Sequence, residues 1–165
     1  MEKMNLGFAF YIKWFKSAPN GGCDQNPIGC KTALLEDPVT GADLGKAGGF
    51  SWHDSVPEVV SASYKRAMAH GKYDAVHGGH YYWDAEEHLW WTWDTPDAIA
   101  KKFPAIVEKK GLGGAFAWGL GEDADDFSHL KALNDGMRRH RKSNQGEGAN
   151  IEDSRTLSSR EKDEL

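Results

Sequence analysis

Apolar and polar positions alternate in recognisable blocks along the chain. Residues 6–12, LGFAFYI, are a run of apolar and small residues, the pattern of a strand buried on both faces. Residues 17–49 are rich in Gly, Pro, Asn and Asp and predict a loop region. A helix is predicted over about 56–69, where Val60, Tyr64, Ala67 and Met68 recur at helical spacing. Ser55 and Glu58 have the spacing of a capping box, and His70-Gly71 ends the helix. In HGGHYYWDAEEHLWWTWD, two aromatic runs flank the polar turn Asp84–His88, which predicts a hairpin.

Thr95-Pro96 opens a second helix with a stripe of Ile99, Phe103, Ile106 and Val107, and Pro104 predicts a kink in it. Gly113–Trp118 reads as another buried strand, and a last helix is expected near 126–140 with Phe127, Leu130, Leu133 and Met137 inward. From Lys142 onward the chain is polar and charged and is expected to be disordered. The order strand–helix–strand–helix predicts parallel α/β units, with the first helix and hairpin inserted between them.

The chain has 165 residues and a formal net charge of −5. That balance argues against nucleic acid, which needs clustered Lys and Arg, and fits a neutral or weakly cationic polymer. No apolar run is long enough to span a bilayer, so no membrane partner is expected. Lys13 and Lys16 interrupt the apolar start, which also lacks a small-residue cleavage site, so it reads as a strand rather than a signal peptide. Cys23 and Cys30 share one Gly/Pro/Asn-rich loop. Two free thiols are one reading; a disulfide, implying an oxidising compartment, is the preferred one. A lone cysteine pair and the His77–His80 pair are weak metal signals, so neither metal nor cofactor is expected.

Three segments together resemble family-18 glycoside hydrolases, the chitinases. TWDTPDAIAKKFPAIVEKKGLGGAFAWGLGEDADDFSHLKAL resembles their last βα unit, and LGFAFYIKWF resembles the penultimate barrel strand. YYWDAEEHLWWTWD resembles the insertion between those units, and the likeness covers about residues 5–140. It implies an α/β fold: a partial TIM (β/α)8 barrel holding the last two βα units, with a small α+β insertion domain. Residues 1–16 would be the penultimate strand and the start of the next loop; 17–93 the insertion, with Cys loop, helix and aromatic hairpin. Residues 94–141 would be the last helix–strand–helix, and 142–165 the tail.

The implied substrate is chitin or a chito-oligosaccharide. Trp118 matches the tryptophan that floors the pocket of the sugar being cleaved; plain barrel core is the alternative. A flat indole suits the apolar CH face of a pyranose. Tyr11, Tyr82 and Trp83 are the other substrate-binding candidates, although about half of the hairpin's rings must be core because a strand has two faces.

The family's catalytic acid ends a D-x-x-D-x-D-x-E run. It protonates the glycosidic oxygen while the substrate's acetamido oxygen acts as nucleophile. The sequence contains no such run, nor the M-x-Y-D whose tyrosine holds the acetamido group, so no catalytic residue is assigned. Glu122, Asp123, Asp125 and Asp126 have the wrong spacing and read as loop and helix caps. HGG lacks a G-x-S-x-G partner and is no hydrolase elbow.

The expectation is a chitinase fragment, either a chain begun too late at Met1 or Met4 or a remnant. A non-catalytic chitin-binding protein and an endo-N-acetylglucosaminidase acting on N-glycans are the rivals. The family implies an extracellular protein. Lys162, Asp163, Glu164 and Leu165 spell the KDEL signal, which implies the endoplasmic reticulum lumen and a KDEL receptor instead.

Overall fold

The computed structural model describes residues 3–142. The retention motif Lys162–Leu165 and nearly all of the expected tail lie outside the described residues. Within them the fold is mixed α/β, with two sheets and no closed barrel.

The first apolar run does not form one strand. It divides at Phe10 into β1 (Asn5–Ala9) and β2 (Tyr11–Lys16), which enter different sheets. β1 pairs in parallel with β7 (Gly114–Trp118), with Leu6 opposite Ala115 and Ala9 opposite Trp118. β2 joins an antiparallel sheet of order β3-β2-β6-β5-β4, where β3 is Ala47–Ser51, β4 Lys72–Asp74, β5 Gly79–Asp84 and β6 Leu89–Trp93. The hairpin β5–β6 has the expected place and turn.

Each sheet has its own core. Leu6 and Phe8 of β1 and Ala115 and Ala117 of β7 pack with Ile99, Phe103, Val107 and Leu133. These come from α2 (Pro96–Lys102), a π-helical turn (Phe103–Glu108) and α3 (128–142). Thr95 caps α2, accepting from the Ala98 N–H at 3.2 Å, and the kink expected at Pro104 is taken up by the π-helical turn. The second core sets α1 (Glu58–His70) against one face of the antiparallel sheet, through Val60, Ala67, Ile12, Phe50, Leu89, Trp91 and Trp93. Here Gly71 is needed for close approach, since a Cβ on it would lie 2.3 Å from the Trp93 ring.

Two local expectations fail. No Ser55–Glu58 capping box forms, because Pro57 occupies the cap position and no side chain caps the helix. Phe127 is 56% exposed rather than inward, because it precedes the first turn of α3 with a positive φ of 54°. The acidic loop does cap as expected. Asp123 accepts from the amides of His129 (3.2 Å) and Leu130 (2.8 Å), and Asp126 from that of Ser128 (3.0 Å).

Asp123 also joins the two cores. His129 Nδ1 faces its carboxylate at 2.6 Å and Nε2 faces the Asp94 carbonyl at 3.0 Å. Trp52, beyond β3, lies against the His129 ring at 5.0 Å between centroids. On the helix-covered face of the antiparallel sheet, buried Asp84 pairs with Arg66 of α1 at 2.6 Å. Burial pushes the Asp84 carboxyl up, but hydrogen bonds from Arg66, Ser63 and the Glu86 amide outweigh it and hold the group below its ordinary range.

Cys23 and Cys30 form a disulfide that closes the loop after β2. In the chain-entropy view, closing so short a loop contributes about 2.5 kcal/mol. Folded protein should therefore resist alkylation at both cysteines until reduced, and reduction should lower the urea midpoint accordingly. Two cysteines that alkylate freely in the folded chain would overturn the pairing. No helix among the described residues is long and apolar enough to cross a membrane.

Candidate functional site

Strand alternation leaves one face of each sheet uncovered by helices. On the parallel pair, Leu6, Phe8, Ala115 and Ala117 point into the core, so Gly7, Ala9, Phe116 and Trp118 share the opposite face. Gly7 is needed there: a Cβ on it would come within 2.8 Å of the Phe116 ring. Trp118 closes β7 and is 63% exposed, so it is not core packing within the described residues. The Trp118 carbonyl accepts from the Phe10 N–H at 2.8 Å, which fixes the strand end beside β1. The Trp118–Gly119 peptide is cis.

The antiparallel sheet obeys the same parity. Ile12, Trp91 and Tyr82 face α1, so Tyr11, Lys13, Phe15, Trp90, Thr92, Tyr81 and Trp83 lie on the other face. The four candidates thus separate. Tyr11 and Trp83 sit on the open face with access to cavities, whereas Tyr82 packs against the helix-side core, its ring 6.4 Å from that of His70. Phe15, Tyr81 and Trp90 are the rings on the open side that sequence reading did not single out. Only the strand register tells them from their neighbours.

Tyr11, Tyr81 and Trp90 line a groove of about 280 Å³, together with Lys13, Thr92 and Ile28 of the Cys loop. Ala9, the register partner of Trp118, lines the same groove, so it begins beside the strand end that carries the exposed indole. The Lys13 ammonium lies 5.3 Å from the Tyr11 ring centroid. The far wall is the turn after β4, where Asp74 and His77 form an ion pair. Hydrogen bonds from His77 and the Val76 amide hold the Asp74 carboxyl low, while burial pushes the His80 imidazole down.

Flat rings interleaved with a few charged and hydroxyl groups suit a ligand with alternating apolar faces and polar edges. They do not form a metal centre. Among the described residues no group of three or more His, Cys, Asp or Glu could hold a metal ion. In the acidic loop after Trp118, Glu122 Oε2 accepts from the Gly119 N–H at 2.9 Å, and Asp123 and Asp126 serve as caps.

Residues 1–123 match the family model described as Glycosyl hydrolases family 18. A curated protein described as a probable endochitinase, from Caenorhabditis elegans, is 37% identical over 61 residues, covering 32% of this chain and 9% of that protein. A chitinase from Rhizomucor miehei superposes with a TM-score of 0.53 at 20% identity, over 82% of this chain and 39% of its own. A class V chitinase variant from Nicotiana tobaccum, solved in complex with NAG4, superposes with a TM-score of 0.50 at 16% identity, over 82% and 34%. At such identities the structural likeness concerns the fold. The chain spans 9% of the curated relative's length and 39% and 34% of the two solved chains.

Proposed function

The chain belongs to the glycosyl hydrolases of family 18, and from that premise we propose that it forms the sugar-stacking side of a chitinase groove. In this reading β1 and β7 are the last two strands of a (β/α)8 barrel, β2 joins residues 17–93 in an insertion, and 94–141 complete the final unit. Trp118 ends its strand on the face where barrel enzymes carry their sites. The reaction served is hydrolysis of β-1,4-linked N-acetylglucosamine, with the substrate's own acetamide as nucleophile. This sequence supplies platform and alignment, while the acid-bearing D-x-x-D-x-D-x-E segment is not in it.

The observation that carries the reading is the exposed Trp118 at the end of β7, whose register partner Ala9 lines the aromatic groove. Tyr11, Tyr81 and Trp90 extend the surface along which an oligomer would lie, and Trp83, opposite Trp90, shares its row. Tyr82 takes no part, since it faces the helix. The neutral ligand accords with the net charge of −5. The formed disulfide and the family favour a secreted protein.

The test is binding. Titration of the chain with N-acetylchitotriose should give saturable heat, and Trp118→Ala should weaken it about 10-fold, the loss of one stacked ring. Unchanged affinity in a folded Trp118→Ala protein would remove Trp118 from the sugar pocket. A chain that binds polymeric chitin yet never supports hydrolysis, even when completed with the acid-bearing strands, would favour the non-catalytic binding reading.

A further inference from the structure

We propose that the last turns of α3 and the segment leading into β7 form a basic surface that binds a sulfated polysaccharide, apart from the aromatic groove. The choice of polysaccharide rests on the secreted, glycan-directed reading given above. The starting point is residues 137–142, which read MRRHRK. Helical spacing sorts these side chains. Gly136 and His140 are buried, and a Cβ on Gly136 would lie 2.1 Å from the Phe103 ring, so this face of α3 is pressed against the π-helical turn. Arg138, Arg139, Arg141 and Lys142 all occupy the opposite, exposed face.

Tertiary packing adds a second basic segment. Met137 lies beside the start of β7, its Cε 3.7 Å from where a Cβ on Gly114 would stand, and it packs on the core that holds Leu112. Lys109 and Lys110 are exposed and stand just ahead of Leu112, so they come to the same end as the last turns of α3. Glu108 and Asp135 are the acids in these two stretches, and Asp135 is engaged by Arg138 at 3.2 Å. In a chain of net charge −5, this end is a local excess of cations. Helix ends attract cations, but each carries only about half a negative charge, so two ends account for about one of these six.

The chemistry fits an anion with closely repeated groups. Arg138, Arg139 and Arg141 carry guanidinium forks, which match the paired oxygens of a sulfate. Cations spaced over an exposed surface suit a linear polyanion, whose binding releases counterions. None of the six is an aromatic ring on which a nucleic-acid base would stack. The disulfide and the family favour a setting outside the cell, where anionic polysaccharides are the polyanions met. Trp118 closes the other end of β7, about 13 Å from Gly114, so both sites can be filled at once.

The experiment titrates the full chain with dextran sulfate, with neutral dextran as control. Dextran sulfate should bind with an affinity that falls steeply as salt is added, and dextran should not bind. Arg138→Ala, Arg139→Ala and Arg141→Ala combined should weaken binding about 30-fold, roughly threefold per charge, and Lys109→Ala with Lys110→Ala about 10-fold. Circular dichroism checks each fold, and the lysine variant leaves α3 untouched should the arginine variant fray it. Affinity for N-acetylchitotriose should be the same in parent and variants. Equal binding of dextran and dextran sulfate, or parental affinity in both variants, would overturn the site. Tighter binding to duplex DNA or to phosphatidylserine vesicles than to dextran sulfate would overturn its assignment to a polysaccharide. If the parent binds dextran sulfate but not N-acetylchitotriose, the groove reading falls and the basic site stands.

Discussion

Incubated with chito-oligosaccharides, the 165-residue chain should release no product above a protein-free control. Substrate-assisted cleavage needs a proton delivered to the glycosidic oxygen while the acetamide attacks. Of the carboxylates that follow Trp118, Glu122 accepts from the Gly119 amide, Asp123 caps the start of α3 and faces His129, and Asp126 accepts from the Ser128 amide. None of them ends the D-x-x-D-x-D-x-E run that the family uses, and the tyrosine that would hold the acetamide is missing with its motif. Loss of the general acid alone typically costs about 10²–10⁴-fold, and loss of alignment a further factor of about 100. Joined to barrel strands carrying the acid, the same residues should support turnover, and replacing that acid by Gln should abolish it again. The measurement is release of reducing ends from N-acetylchitohexaose, analysed by mass. Product from the 165-residue chain alone would mean that one of its own carboxylates acts as the donor and that the site has been misassigned.

Much of this was legible because the apolar pattern is strong where cores are built. The hairpin, α2 and β7 follow directly from their runs of Trp, Ile and small residues. The missed elements have weak local signals. β3 reads AGGFS and contains two glycines, yet it is a strand because the Trp14 ring lies across it: a Cβ on Gly48 would sit 2.8 Å from that indole. Propensity read along the chain cannot anticipate a strand selected by a ring on its neighbour.

The candidate site shows the same division. Trp118 could be picked from its motif and its place at a strand end. Which hairpin rings face the groove is a matter of parity, and parity is set at a distance. The turn pairs Asp84 with Leu89, and Arg66 of α1 draws Asp84 to the helix side. Tyr82 and His80 must follow it, which leaves Trp83 and Tyr81 on the other face. An Arg and an Asp 18 positions apart give no such signal until the helix is docked.

That parity makes two adjacent tryptophans very unequal. Trp91→Ala should lower stability by about 3–5 kcal/mol, the usual cost of emptying a large buried aromatic site. Its side chain is completely buried, and its indole N–H donates to Ser63 Oγ at 2.8 Å. Its ring lies 5.7 Å from that of Tyr64 and 6.3 Å from that of Phe50, so it fastens α1, β3 and β6 together at one point. The truncation would leave a cavity between a helix and two strands held apart by backbone hydrogen bonds, which gives the site little freedom to collapse. A typical domain has only about 5–15 kcal/mol in total, so the variant should be partly unfolded at physiological temperature. Trp90→Ala removes an equally large ring from the open face, where it is half-buried between the Phe15 ring, 6.2 Å away between centroids, and the Cys loop, and should cost about 1 kcal/mol. Urea unfolding followed by far-ultraviolet circular dichroism separates the two, with Trp91→Phe expected between them because it keeps the packing and loses the bond to Ser63. Equal midpoints for Trp90→Ala and Trp91→Ala would mean that the hairpin register is shifted by one residue, and every assignment of groove and core on β5 and β6 would then reverse.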